Sequence, residues 1–337
     1  SNIAVNVLLT LFFLILCPWM VNHNILPGVM DMIYSKEIGV GYIFIANLAA
    51  SAITLLMLFS EIRIARLNFD WKIWKKMISY AFPLLIFGLA GIVNETMDRV
   101  LLKNLSPADI AQSQVGIYSA CYKISIMMTI FIQAFKYAAE PFFFAKAKDS
   151  DARYTYSKVM TYFVLACSFI FLGIMMYIDI VQYFVGAKYR VGLPVVPILL
   201  MANLCLGVFY NLSIWYKLTG QTRFGAYISI FGALITLVLN YTLIPIMGYM
   251  GSAWATFICY ASMMIVSFFL GQKYYHVNYE VGKIITILGL ALGLYVISLF
   301  NPFETKALHL AFNTLLLLVF IGVEYVVERK NFVKLLK

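Results

Sequence analysis

The chain is 337 residues long, 63% hydrophobic and only 12% charged, with a mean hydropathy of +0.88. Soluble domains carry about 25% charged and about 45–50% apolar residues, so this composition excludes a water-soluble protein and requires an integral membrane one. The net charge of +10 does not point to nucleic acid, because the basic residues gather in alternate short loops where anionic lipid headgroups are sufficient partners.

A helix needs roughly 20 apolar residues to cross about 30 Å of hydrocarbon. Runs of that kind predict about ten spans, at 3–20, 39–60, 77–102, 115–137, 157–178, 193–216, 225–245, 249–270, 283–300 and 307–326. The loops set an expected orientation. Of 25 Lys and Arg, 18 fall in 61–76, 136–158, 217–223, 271–283 and the tail after 326, and six on the opposite side. By the positive-inside rule the first side and both ends of the chain are expected to be cytoplasmic. No connection exceeds about 20 residues, which leaves no room for a soluble catalytic domain.

The longest cytoplasmic connection with a composition shift, EIRIARLNFDWKIWKK at 61–76, alternates apolar and basic residues. It suits either an amphipathic linker on the inner leaflet or an ordinary loop. Pro83, Pro194, Pro197 and Pro245 are expected to kink spans or mark their ends. Gly88, Gly91, Gly232, Gly248 and Gly251 are expected to permit close helix approach. Cys17, Cys121, Cys167, Cys205 and Cys259 read as small buried apolar residues, since none forms a CxxC or a Cys/His ligand spacing. His23, His276 and His309 lie too far apart in sequence to suggest a metal site.

The stretch LTGQTRFGAYISIFGALITLVLNYTLIPIMGYMGSAWATFICY, 218–260, carries a family pattern. It contains the turn Thr219-Gly220-Gln221-Thr222, Asn240 followed by Leu243-Ile244-Pro245, the pair Gly248 and Gly251, and Ala253-Trp254-Ala255-Thr256. A proline after Leu-Ile and then Gly-x-x-Gly makes a tight turn between antiparallel helices. The chain resembles the polysaccharide (O-antigen) flippases of the multidrug/oligosaccharidyl-lipid/polysaccharide (MOP) exporter superfamily, with looser likeness at 83–103 and 116–141. The resemblance implies an all-α, two-lobed, MATE-like transporter fold in the bacterial inner membrane. On that plan residues 1–60 supply two helices of the first lobe, 61–76 a linker and 77–270 the six-helix second lobe. Residues 283–326 form an extra helix pair and 327–337 a cytoplasmic tail. About four N-terminal helices of the plan are missing, so the chain, which starts at Ser1, is expected to be part of a longer protein.

The charged positions inside spans are the candidate site. Leu84, Gly88, Gly91, Glu95, Asp98 and Leu102 share one helix face. Glu95, Asp98 and Arg99 then form either an interfacial ion pair or the wall of a transport cavity. Lys123 lies deep in the 115–137 span, where an ionisable residue is a functional hypothesis by default. It would either pair with Glu95 or Asp98, or contact the pyrophosphate of a lipid-linked sugar. Lys136 and Glu140 read as an interfacial pair, and Lys217 as either a snorkelling lysine or part of a basic entry ring. Asp179, Lys188 and Arg190 read as solvated, and Asn240 as an interhelical hydrogen-bonding residue.

No GxxxxGK[ST], HExxH or Gly-x-Ser-x-Gly occurs, so no catalytic residue, metal or cofactor is expected. The expected function is flipping of polyprenyl-pyrophosphate-linked oligosaccharide for O-antigen or lipopolysaccharide synthesis, with H+ or Na+ as a potential coupling ion. The alternatives are a cation-coupled multidrug exporter and a membrane polymerase or glycosyltransferase.

Overall fold

The computed structural model describes residues 2–64, 69–303 and 305–335. Residues 65–68 of the expected linker and the last two residues of the tail lie outside the described residues, as do the side chains of Ile62, Ile64 and Leu67. Among the described residues every regular element is helical, and ten helices are long and apolar enough to cross a membrane. The chain is a multi-pass, all-α membrane protein. It divides into two compact units, Ser1–Trp74 and Lys75–Lys337.

In the first unit α1 (Asn2–Leu11) leads through a wide π-turn at Phe12–Leu16 into α2 (Cys17–Asn22), followed by α3 (Pro27–Ile33) and α4 (Tyr42–Ile64). The π-turn precedes Pro18, whose ring lacks an N–H and clashes with the carbonyl four residues back, so the ladder widens there. α1 packs along α4. Tyr42 anchors the turn between α3 and α4, stacking on Phe13 and Tyr34 while its hydroxyl accepts the Ser35 N–H at 2.6 Å.

Two long helices follow, α5 (Trp71–Leu105), all but its first four residues in the second unit, and α6 (Ala111–Lys146). At about 1.5 Å per residue each runs to more than 50 Å, well beyond the spans 77–102 and 115–137 expected from apolar runs alone. Their ends continue because hydrogen bonding propagates through the polar residues flanking each apolar core, with Pro83 and Pro141 accommodated inside. Next come α7 (Ala152–Met176), a short α8 (Ile178–Val181) and a 3-10 stretch, Ala187–Val195. The predicted span 193–216 is a broken helix: α9 (Val196–Leu212) is interrupted at Ser213 before α10 (Ile214–Leu218).

The core lies where α9 packs against α12 (Tyr249–Tyr274), α6 and α7. Tyr118, Met128, Phe163, Phe171 and Leu200 are buried there. α11 (Arg223–Met247) pairs closely with α12 across a one-residue turn at Gly248, which adopts φ +56°. A Cβ on Gly251 would sit 2.5 Å from the Leu243 carbonyl oxygen, and one on Gly248 2.7 Å from Gln114 Oε1. The Gly-x-x-Gly pattern therefore serves close approach, as expected. Gly88 and Gly91 do not: a Cβ on either meets nothing within 4 Å.

α13 (Val281–Leu299) and α14 (Lys306–Leu335) pack on α7. Glu280, just before α13, bonds Lys158 Nζ at 2.6 Å and accepts from the Thr161 hydroxyl at 3.2 Å. At the other end the Asn313 amide donates to the Met176 carbonyl, and Tyr177 shares a hydrogen bond with Thr314. Burial alone would raise the Glu280 carboxyl, but the Lys158 hydrogen bond and charge, with Lys283 and Thr161, hold it below its ordinary 4.5. A carboxyl depressed in the folded state stabilises fully above its unfolded pKa and loses that contribution as pH falls through the folded value. The melting midpoint of the wild type is therefore expected to drop as pH falls below about 4.5. Glu280→Gln should lower the midpoint at neutral pH and flatten this dependence, measured by thermal unfolding in detergent across pH 3–7. The effect is modest because Glu280 is partly exposed and solvent screens it.

Candidate functional site

α5 stands off from its neighbours in the second unit, with no close helix-to-helix seam, and side chains hold it in place. Near one end the Thr222 hydroxyl donates to the Tyr80 carbonyl at 3.1 Å. Near the other, two buried polar side chains on α5 reach across. Asp98, 1% exposed, accepts hydrogen bonds on Oδ2 from Tyr118 of α6 at 2.7 Å and Thr256 of α12 at 3.0 Å. Asn94, one turn earlier, accepts from Thr236 of α11 at 3.1 Å. The seam continues to Asn240, which accepts from Ser252 at 2.7 Å and so makes the interhelical bond expected of it. A hydroxyl or carboxyl in hydrocarbon must find a partner or be hydrated, and each of these does except Asp98 Oδ1, which is buried with no hydrogen-bond partner.

Between these ties, α5 lines a cavity of about 200 Å³. Gly88, Gly91 and Glu95 of α5 line it opposite Lys136 of α6, Tyr210 of α9 and Tyr260 of α12. The two glycines give the wall its room by lacking side chains, which is the role they take instead of helix contact. Neither Glu95 nor Lys136 forms an ion pair among the described residues. Lys136 Nζ instead lies 4.5 Å from the centroid of the Tyr210 ring, a cation–π contact. Ionisable side chains within membrane spans face a bundle interior or a water-filled cavity, and Glu95 and Lys136 share this one.

A smaller cleft of about 20 Å³, room for about one water, adjoins through Lys136. Lys217 of α10 and Glu140 of α6 close it with a 2.8 Å salt bridge in which the lysine side chain is only 9% exposed. The expected Lys136–Glu140 pair is thus not formed; Glu140 takes a partner from another helix. Lys217 is neither snorkelling nor free.

The remaining candidates separate. Arg99 does not neutralise the Glu95 carboxylate: its guanidinium donates to the Glu95 backbone carbonyl at 3.1 Å and stacks on Tyr122. Lys123 pairs with neither Glu95 nor Asp98 among the described residues. It is exposed, on a face shared with Ile126, Met127 and Ile130. Thirteen residues separate it from Lys136, which turns the two about 140° apart around α6. Asp179, expected to be solvated, lies 3.4 Å from His309 although its side chain remains largely exposed. Arg190 donates to the Gln182 and Val185 carbonyls. Tyr118, Asn94, Thr236 and Asn211 were not singled out by sequence reasoning, because a lone hydroxyl or amide in an apolar helix gives no signal of its partner. Thr256 stood in the Ala253–Thr256 motif, which was a usable signal.

No curated protein matches the sequence. A family model described as "Polysaccharide biosynthesis protein" matches residues 2–145, less than half of the chain. The fold is similar to the solved structure of the lipid II flippase MurJ in an inward closed conformation, with a TM-score of 0.62 and 12% identity. That match covers 96% of this chain, and the chain spans 66% of the length of the MurJ chain. The expected likeness extends to a polysaccharide-biosynthesis family model over residues 2–145 and to the fold of a solved flippase over nearly the whole chain: this is a multi-pass helical protein of MurJ-like architecture.

Proposed function

We infer that the chain takes part in moving polyprenyl-pyrophosphate-linked oligosaccharide across the bacterial inner membrane, by alternating access between two lobes. The observation that carries this reading is the cavity behind α5, where Glu95 and Lys136 face water-sized space without an ion-pair partner in a chain of flippase-like fold. Carrying an anionic sugar headgroup requires a hydrated, cationic interior, while the lipid tail can stay in the bilayer. Residues 1–60 contribute two helices to a first lobe, 61–76 link, 77–270 form the second lobe, 283–326 add a helix pair and 327–337 form a tail. Both ends of the chain face the cytoplasm in this reading.

A coupling ion, H+ or Na+, would be taken at Asp98, where one buried carboxyl oxygen lacks a partner. Lys123 would be a second cationic contact outside the cavity, and export that survives Lys123→Gln would remove it from the substrate path. Two carboxylates on α5 favour a cation-coupled multidrug exporter as the second reading.

The test is reconstitution into vesicles loaded with a polyprenyl-pyrophosphate-linked oligosaccharide, with a lectin reporting sugar on the opposite leaflet. The expected result is time-dependent appearance of unaltered saccharide there. Elongation of the sugar would indicate a polymerase or glycosyltransferase. Efflux of cationic dyes without saccharide movement would indicate the exporter.

A further inference from the structure

The charges around the small cleft between α6, α9 and α10 balance. Lys217 is bridged to Glu140 at 2.8 Å, and Lys136 lines both the cleft, with Glu140, and the larger cavity, with Glu95. Two ammonium groups are set against two carboxylates. A bound ion of either sign would leave this lining with uncompensated charge, which is costly away from bulk water. What the cleft lacks is a neutral partner. Asn211 of α9 lines it, 4% exposed, and its amide Nδ2 is buried without a hydrogen-bond partner. Lys136 and Glu140 lie one turn apart on α6, where side chains are close neighbours, yet they form no ion pair. Lys136 rests on the Tyr210 ring instead.

We propose that one resident water occupies this cleft, accepting hydrogen bonds from Asn211 Nδ2 and the Lys136 ammonium and donating to the Glu140 carboxylate. The volume of about 20 Å³ holds one water and nothing larger. A buried water makes about three hydrogen bonds, and the lining offers three groups that can use one. Asn211 Nδ2 is an orphaned donor, Lys136 is an ammonium without an ion pair, and Glu140 gives its Oε1 to Lys217 and keeps lone pairs on Oε2. A bridging water is nearly as good as a direct hydrogen bond, so it joins Lys136 to Glu140 across the gap that they leave. Through Lys136 it also connects the lining of the larger cavity to the Glu140–Lys217 bridge on α10. The site does not depend on what the protein carries.

The test is hydroxyl-radical labelling by X-ray radiolysis of the full chain in nanodiscs, read residue by residue by mass spectrometry. The radicals form from water, so a side chain sealed from bulk is labelled by water lodged beside it. Ile132 and Phe143 line the cleft and are each 2% exposed. Ile287 of α13 and Phe320 of α14, each 1% exposed, are controls of the same residue types. Labelling of Ile132 and Phe143 is expected to exceed that of the controls severalfold. Asn211→Leu should bring it down to the control level and lower the melting midpoint. Asn203→Leu, which removes another buried amide of α9 that does not line the cleft, should leave the labelling unchanged. The midpoint is an independent readout because its sign differs between a wet and a dry cleft. In a dry cleft the Asn211 amide has no acceptor, and an apolar replacement would be neutral or stabilising. Control-level labelling of Ile132 and Phe143 in the wild type overturns the proposal. So does labelling that survives Asn211→Leu, or a midpoint that holds or rises in that variant.

Discussion

Asp98→Leu is expected to lower the unfolding midpoint of the protein in detergent, and adding Tyr118→Phe to that variant is expected to restore most of the loss. The Asp98 carboxyl accepts from Tyr118 and Thr256 at the point where α5, α6 and α12 meet. Removing it does not orphan both donors equally. A hydroxyl has one hydrogen to give, and Thr256 has a second acceptor, the Ser252 carbonyl at 3.0 Å. Tyr118 is fully buried, and beside Asp98 it meets only the Thr256 hydroxyl oxygen. A tyrosine hydroxyl left with that poorer acceptor should cost up to about 1–3 kcal/mol. Tyr118→Phe removes that group while keeping the ring that fills the core, so the two changes should be strongly non-additive in a double-mutant cycle. Additive losses would mean that Asp98 stabilises through something other than this bond. Asp98→Asn separates structure from transport, because its amide oxygen can still accept from Tyr118. If the carboxyl takes the coupling ion, Asp98→Asn should fold with a near-normal midpoint and lose saccharide movement in the vesicle assay.

The spans were legible because bilayer thickness forces long apolar runs, and one face of α5 was legible because Gly88, Gly91, Glu95 and Asp98 fall at helical spacing. What that face does was only half legible. Its glycines look the same in sequence as Gly232 and Gly251, yet a Cβ on Gly232 would meet Met263 Sδ at 2.3 Å and one on Gly88 meets nothing. Whether a glycine admits a helix or leaves a hollow depends on how far away the neighbour stands, which spacing does not encode. Lys123 and Lys136 pose the same problem. Depth along α6 says what a buried charge costs, but its azimuth relative to α9 decides which lysine reaches the cavity. Glu140 had a good local partner at i−4 in Lys136 and took Lys217 instead, 77 residues away. Local helical pairs contribute only about 0.2–0.5 kcal/mol, so a better-buried tertiary partner prevails. The Asp98 seam draws on Tyr118 of α6 and Thr256 of α12, 20 and 158 residues distant, and for Thr256 it is the packing of α12 beside α9 and α11 that brings it there.

Gly251→Ala and Gly91→Leu should therefore act in opposite ways despite adding bulk at the same residue type. At Gly251 the added methyl would lie 2.5 Å from the Leu243 carbonyl oxygen and 2.6 Å from its carbon, both backbone atoms that cannot rotate aside. α11 and α12 would have to part just beyond the Gly248 turn. That strains the 2.7 Å bond between Ser252 and Asn240, which lies one residue further on. Overpacking of this kind costs about 1–3 kcal/mol, and Gly251→Ala should lower the melting midpoint and the yield of folded protein. At Gly91 there is no atom within 4 Å of a Cβ, and the new side chain would extend into the cavity lined by Glu95, Lys136 and Tyr260. Replacing a helix-interior glycine also relieves its propensity penalty, about 0.8–1.0 kcal/mol relative to alanine in water. Gly91→Leu should therefore keep or slightly raise the midpoint while reducing saccharide movement, because it fills part of the 200 Å³ that the transport reading requires. Normal transport in a well-folded Gly91→Leu protein would show that the cavity is not on the substrate path. A Gly251→Ala protein as stable as wild type would show that the α11–α12 seam is looser than its contacts indicate.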